Sequence, residues 1–142
     1  MFDRILVVCV GNICRSPTAE FMLQELLPAK QLESAGLHAL AGQDMDPQAR
    51  AVAENAGIAC PAHTARQLTN AMVNQADLIL VMEQRHRDEL NRRFPQGSGK
   101  TMLLGKWQND KDIADPYRKS DEVFAQIFKQ LQENCQAWAK KL

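Results

Sequence analysis

Three stretches of the chain are apolar almost without interruption: Ile5 to Val10, Asp77-Leu-Ile-Leu-Val-Met82, and Thr101 to Leu104. A strand with one wet face alternates apolar and polar residues. One buried on both faces does not, and these three read as the second kind. Leu32 to Ala35 is a shorter strand candidate, ended by Gly36. Between the strands the period changes. Pro17 to Leu27 places Ala19, Met22, Leu23, Leu26 and Leu27 at helical spacing, and Pro28 closes the segment. Asp46-Pro47 opens a second helix with Ala49, Val52, Ala53 and Ala56 on one face, and Gly57 caps its end. Glu83 to Phe94 is a polar helix whose Arg85, Arg87, Arg92 and Arg93 read as a solvated face. A last helix from about Ser120 to Lys140 carries Val123, Phe124, Ile127, Phe128, Leu131, Cys135 and Trp138 in one stripe.

Doubly buried strands alternating with helices predict an α/β fold with a parallel sheet. Ligands of such folds bind beyond the carboxyl ends of the strands. The segment Cys9 to Ser16 stands at that end of the first strand.

Composition narrows this only a little. The 142 residues suit a single domain, 1–142, and 45% hydrophobic residues suffice for a core. Lys plus Arg equals Asp plus Glu at 17 each, so net charge points away from nucleic acid and from direct membrane insertion. The N-terminal apolar run breaks at Gly11 and Asn12, too early for a spanning segment or secretory signal. A cytoplasmic monomer is the expectation. The four cysteines are then expected to be free thiols, with Cys60 and Cys135 structural and one of the others a candidate reactive thiol.

The candidate chemistry lies in Cys9-Val-Gly-Asn-Ile-Cys-Arg-Ser16. A tight loop from strand to helix aims several backbone N–H groups at one point, and the helix N-terminus adds partial positive charge. Gly11 and Asn12 tolerate the left-handed backbone that curls such amides inward. Arg15 brings a fork that grips two oxygens of a tetrahedral anion. Ser16 is a plausible helix cap and Pro17 suits the first turn. A thiol at Cys9 facing that field becomes a thiolate nucleophile beneath a bound oxyanion. Displacing an aryl or alkyl oxygen from phosphorus also needs a proton donor. Asn109-Asp-Lys-Asp-Ile-Ala-Asp-Pro-Tyr117 offers Asp110, Asp112 and Asp115. Asp115 is the best placed, because Pro116 holds it extended, although Asp-Pro is equally compatible with a plain turn. Tyr117, the only tyrosine, could line a slot for a flat substrate.

Cys9 to Ser16 with Pro17-Thr18-Ala19-Glu20 resembles the signature loop of the low-molecular-weight protein tyrosine phosphatases. Asp115-Pro116-Tyr117 resembles that family's second signature, and His63-Thr-Ala-Arg-Gln67 and Val81-Met82-Glu83 extend the likeness along the chain. The resemblance implies a three-layer fold, a four-stranded parallel sheet flanked by helices on both faces. It implies Cys9 as nucleophile, Arg15 as phosphoryl ligand and Asp115 as proton donor, then base toward water. Val10, Gly11, Asn12, Ile13, Cys14 and Ser16 complete the phosphate loop, with Ser16 bonded to the Cys9 thiolate and His63 supporting Asn12. Leu40 and Tyr117 flank the substrate ring. Cys14 is implied as a reversible disulfide partner of Cys9. Neither cofactor nor metal is implied, and no cluster here has metal-ligand spacing.

Within the family, Arg118 replaces the second tyrosine of the animal enzymes, so regulation by phosphorylation of a tyrosine pair is not expected. Ser34-Ala-Gly-Leu-His-Ala-Leu40 and Asp115 to Ser120 resemble the bacterial enzymes of capsule and exopolysaccharide export. That likeness implies a membrane tyrosine autokinase as the phosphotyrosine protein acted on. Ile13 stands where the related phosphoarginine phosphatases carry threonine. Two alternatives are weaker. An arsenate reductase of the same fold needs two relay cysteines in mid-chain, where this sequence has only Cys60. A phosphotyrosine-binding module would need neither Cys9 nor Asp115. Gly97-Ser-Gly-Lys-Thr101 resembles the tail of a nucleotide loop but follows a helix and precedes a strand, the wrong order, and reads as a flexible turn.

Overall fold

The computed structural model of the protein describes residues 2–142. In chain order its main elements are β1 (Arg4–Cys9), α1 (Arg15–Leu26), β2 (Gln31–Gly36), α2 (Pro47–Asn55), α3 (Asn70–Gln75), β3 (Leu78–Val81), α4 (Gln84–Arg93), β4 (Thr101–Leu103) and α5 (Asp121–Ala139). The strands lie in the order β2-β1-β3-β4 and every pairing is parallel. β1 is therefore central, which is why its sequence shows no polar alternation. Ile5, Val7 and Cys9 enter one core with α1, α2 and α5, while Leu6 and Val8 enter another with α3 and α4. β3 divides the same way, Leu78 and Leu80 to one side, Ile79 and Val81 to the other. Each such aliphatic side chain contributes ~1.5–3 kcal/mol by leaving water. The expected three-layer architecture is the one observed.

The helix ends follow their local chemistry. Asp46 caps α2 by accepting from the Gln48 and Ala49 amides, with Pro47 in the first turn. Gly57, at φ 88°, ends it in the left-handed conformation that glycine adopts freely. Ser120 caps α5, whose predicted stripe from Phe124 to Trp138 is buried.

Several expectations need correction. α1 begins at Arg15, not Pro17, and Ser16 lies inside its first turn instead of capping it. α3 has no counterpart in the sequence reading: it is six residues long and buries only Val73. The Gly97-Ser-Gly-Lys segment is no loose turn but part of a 3-10 helix, Pro95–Lys100. Lys100 Nζ there donates to the Ala76 carbonyl at 2.6 Å, and a Cβ on Gly97 would meet Val73 at 2.9 Å. Gly36 belongs to β2, paired with Cys9. A Cβ at Gly36 would stand 2.4 Å from the Val10 carbonyl oxygen, so glycine there lets β2 approach the loop that follows β1.

Candidate active site

β1 stops at Cys9 and α1 starts at Arg15, leaving five residues to turn the chain. The turn is held from outside. Leu37, His38 and Leu40 donate backbone N–H groups to the carbonyls of Cys9, Val10 and Gly11 at 2.9–3.0 Å. With those carbonyls pulled outward, the amides face the other way. Among the described residues, no protein acceptor takes the backbone N–H of Gly11, Asn12, Ile13 or Cys14. These free donors, with the N-terminus of α1, form an anion cradle.

Of the two residues expected to take the left-handed conformation, Asn12 does, at φ 61°, and Gly11 does not. Asn12 is held there by its side chain and its carbonyl. Its Oδ1 accepts from the Arg66 amide at 3.0 Å, and its Nδ2 donates to Ser16 Oγ at 2.8 Å and Ser34 Oγ at 3.0 Å. Its carbonyl receives His63 Nε2 at 2.7 Å, which places the imidazole proton on that nitrogen. The direction of the next bond follows. Ser34 Oγ donates its hydrogen to Glu20 Oε1 at 2.5 Å. Ser16 Oγ already accepts from Asn12, so its own proton is free to point at Cys9 Sγ, 2.9 Å away.

Arg15 is 2% exposed. Its Nη1 donates to Glu83 Oε2 at 2.5 Å and to the Ile113 carbonyl at 2.8 Å, which fixes the guanidinium plane and leaves Nη2 toward the pocket. Burial works against charge on Glu83, but hydrogen bonds from Arg85 and Arg15 prevail and hold its carboxyl at about 2. Sequence reasoning gave Glu83 no role; its partner lies 68 residues away, and no local pattern marks such a pair.

His86 lies beside this pair, 2% exposed, with Nε2 3.4 Å from Glu83 Oε2 and no hydrogen-bond partner on either ring nitrogen. Burial, with the Arg15 charge, pushes it down to about 4 from an ordinary 6.5. The folded protein thus keeps His86 neutral where an unfolded chain would protonate it, so stability falls as pH drops from 6.5 toward 4. His86→Leu should flatten that fall, read as urea midpoints at pH 7, 5.5 and 4; an unchanged slope would clear His86 of the effect.

The loop before α5 completes the site. The Ile113 amide bonds the Met82 carbonyl at 2.9 Å, and Asp112 Oδ1 takes the Gln84 amide at 2.9 Å. Of the three candidate aspartates, Asp112 is thus used by the fold, and Asp110 does not line the pocket. Asp115 does. It is 46% exposed; Oδ1 accepts from the Tyr117 amide at 3.0 Å, and Oδ2 lies 3.9 Å from Arg15 Nη2. The pocket, about 170 Å³, is lined by Cys9 to Arg15, Leu40, Asp115 and Tyr117, with His38 as an addition the sequence did not suggest. Ser16 and His63 stand behind the loop. Cys9 and Cys14 are both free thiols, with no bond between them. Burial, then the Asp46 charge, pushes the Cys14 thiol up, so it is the poorer nucleophile by its own surroundings.

This geometry has known counterparts. The model of the low molecular weight phosphotyrosine protein phosphatase family matches residues 4–142. The low molecular weight protein-tyrosine-phosphatase Wzb of Escherichia coli K12 is 49% identical over 142 residues, all of this chain and 97% of that protein. The probable low molecular weight protein-tyrosine-phosphatase AmsI of Erwinia amylovora is 46% identical, over 100% of this chain and 99% of its own. The solved structure of Vibrio vulnificus Wzb in complex with benzylphosphonate superposes with a TM-score of 0.98 at 49% identity, covering all of both chains. The chain belongs to the low molecular weight phosphotyrosine protein phosphatases and is a protein-tyrosine phosphatase.

Proposed function

We propose that this single domain hydrolyses phosphotyrosine in proteins through a phosphocysteine intermediate on Cys9. The observation that carries the reading is the set of unused amides from Gly11 to Cys14 around the Cys9 thiol, closed by the clamped Arg15 fork. The phosphoryl oxygens take those amides and Arg15. The Cys9 thiolate attacks phosphorus; the sulfur–phosphorus bond forms as the bond to the tyrosine oxygen breaks. Asp115 gives its proton to the departing phenolate. In the second half Asp115 takes a proton from water, whose oxygen attacks phosphorus, and sulfur leaves as thiolate. Ser16 stabilises that thiolate at both ends of the cycle. Leu40 and Tyr117 hold the substrate ring at the mouth. That Vibrio vulnificus Wzb takes benzylphosphonate, an aromatic ring one carbon from a phosphonate, supports a slot of this kind.

The cellular substrate we infer is the tyrosine-rich tail of a membrane autokinase that controls capsule or exopolysaccharide export. The full-length likeness to Wzb supports it, as do the bacterial features around Leu40 and Arg118. No described helix is long and apolar enough to cross a membrane, and the enzyme would meet that tail from the cytoplasm. Ile13 argues against phosphoarginine, and arsenate relay chemistry lacks its thiols: Cys135 is fully buried in α5 and Cys60 bonds back to the Ile58 carbonyl. The test is phosphate release, in chelator, from matched peptides bearing phosphotyrosine, phosphoserine or phosphoarginine. Release from phosphotyrosine alone is expected; preference for phosphoarginine, or sensitivity to chelator, would sink the reading.

Glu83→Gln tests the clamp. Removing its charge loosens one of two bonds on Arg15 Nη1, and charge-assisted bonds of this kind are worth ~1.5–3 kcal/mol. With the Ile113 carbonyl still in place, kcat/KM should fall about tenfold. Unchanged kinetics would mean that the carbonyl alone positions the guanidinium.

A further inference from the structure

We propose that Arg118 is a second anion-binding residue at the mouth of the pocket, selecting phosphotyrosines that have an acidic or phosphorylated neighbour. The backbone holds Arg118 at φ 62°, a left-handed conformation that an arginine adopts only when its surroundings impose it. Two bonds impose it: Asp115 Oδ1 takes the Tyr117 amide at 3.0 Å, and the Pro116 carbonyl takes the Lys119 amide at 2.9 Å. The result places the guanidinium carbon 5.2 Å from the centroid of the Tyr117 ring, a cation–π contact.

Tyr117 lines the pocket, so this cation is docked on a wall of the substrate slot. Two other basic side chains near the mouth already face carboxylates. His38 Nε2 lies 2.7 Å from Glu89, and Arg85 Nε lies 2.9 Å from Glu83. Arg118 is exposed and, among the described residues, has neither a carboxylate partner nor a side-chain hydrogen bond. Its five N–H donors are held in place and unused. They cannot serve the reacting phosphoryl group, which sits with the loop amides and Arg15 at the floor. A substrate ring in the slot would put Tyr117 between itself and the guanidinium. The anion within reach of Arg118 is then carried by a neighbouring residue of the peptide, a carboxylate or a phosphate, both of which suit its planar fork.

The proposal rests on reading the Cys9 pocket as the substrate site, and the test separates the two. Peptides with phosphotyrosine flanked within two residues by neutral side chains, by glutamate or by phosphoserine are compared on wild type, Arg118→Ala and Arg118→Glu. The quantity read is the ratio of kcat/KM for charged over neutral flanks within each protein, so a general loss of activity or folding cancels. Exposed ion pairs predict a ratio of about two to five in wild type, shrinking as salt rises. It should fall to about one in Arg118→Ala and below one in Arg118→Glu, through KM more than kcat. A larger ratio for phosphoserine identifies a phosphorylated neighbour as the ligand; a larger one for glutamate identifies a carboxylate. A wild-type ratio of one, or a preference that survives Arg118→Glu, overturns the role of Arg118. If wild type hydrolyses no peptide at all, the reading of the pocket falls instead.

Discussion

Cys9→Ser is expected to lower aryl phosphate turnover on the order of 10⁴-fold or more while leaving oxyanion binding intact. The two halves of this result come from different atoms. Binding belongs to the Gly11 to Cys14 amides and to Arg15, none of which touches the side chain at position 9 except across the pocket. Turnover belongs to the sulfur. Ser16, in the first turn of α1, donates to that sulfur from 2.9 Å. A serine hydroxyl in the same place keeps its proton at neutral pH, because its intrinsic acidity is many orders weaker. The group hydrogen-bonded to that position, Ser16, is itself a hydroxyl and does not remove the proton. Vanadate or phosphate titration, followed by intrinsic fluorescence, reads the binding half; a chromogenic aryl phosphate reads the turnover half. Residual turnover within tenfold of wild type would remove Cys9 as nucleophile. Cys14→Ser makes the natural comparison, because Cys14 lines the same pocket but burial pushes its thiol up, and its loss should cost far less.

Much of this was legible in the sequence because the same physics shaped both levels. A parallel strand covered on two faces has nowhere to place polar residues, so β1 and β3 announce themselves as unbroken apolar runs, and the caps at Asp46, Gly57 and Ser120 mark helix ends by hydrogen bonds made within four residues. The loop residues were readable for the same reason: Cys9 through Ser16 act as neighbours in sequence. What stayed hidden depends on distance. Glu83 reads as the polar start of an arginine-rich helix until Arg15 is brought against it. His86 reads as one more polar residue on a wet helix face, yet it is buried under that pair. Ser16 has the composition of a helix cap, but the oxygen that would cap α1 is drawn to Asn12 and Cys9 instead. Gly11 and Asn12 both read as permissive, and only Asn12 takes the left-handed position, where its side chain meets Arg66, Ser16 and Ser34 together and so offsets the backbone cost.

Asp115→Asn should slow hydrolysis about 10²–10⁴-fold for phenolic esters whose leaving oxygen needs a proton. The carboxyl is placed for that work by elimination of its other contacts. Oδ1 is taken by the Tyr117 amide, Pro116 stiffens the chain on its far side, and Oδ2 is left over the pocket, 3.9 Å from Arg15 Nη2. Asparagine preserves the first contact and the shape but has no proton to give. The effect must therefore depend on the leaving group. Nitrophenolate departs as an anion near neutral pH and should suffer least; phenol and tyrosine, with leaving oxygens near pKa 10, should suffer most. Measured across a series of substituted phenyl phosphates, log kcat should vary little with leaving-group pKa in wild type and fall steeply with it in Asp115→Asn. The same steepening in Asp112→Asn would move the acid to Asp112, which the structure ties to the Gln84 amide, and would overturn the assignment. If both variants keep the wild-type slope, the proton comes from solvent, and the exposure of Asp115 would then be the reason that water reaches the leaving oxygen first.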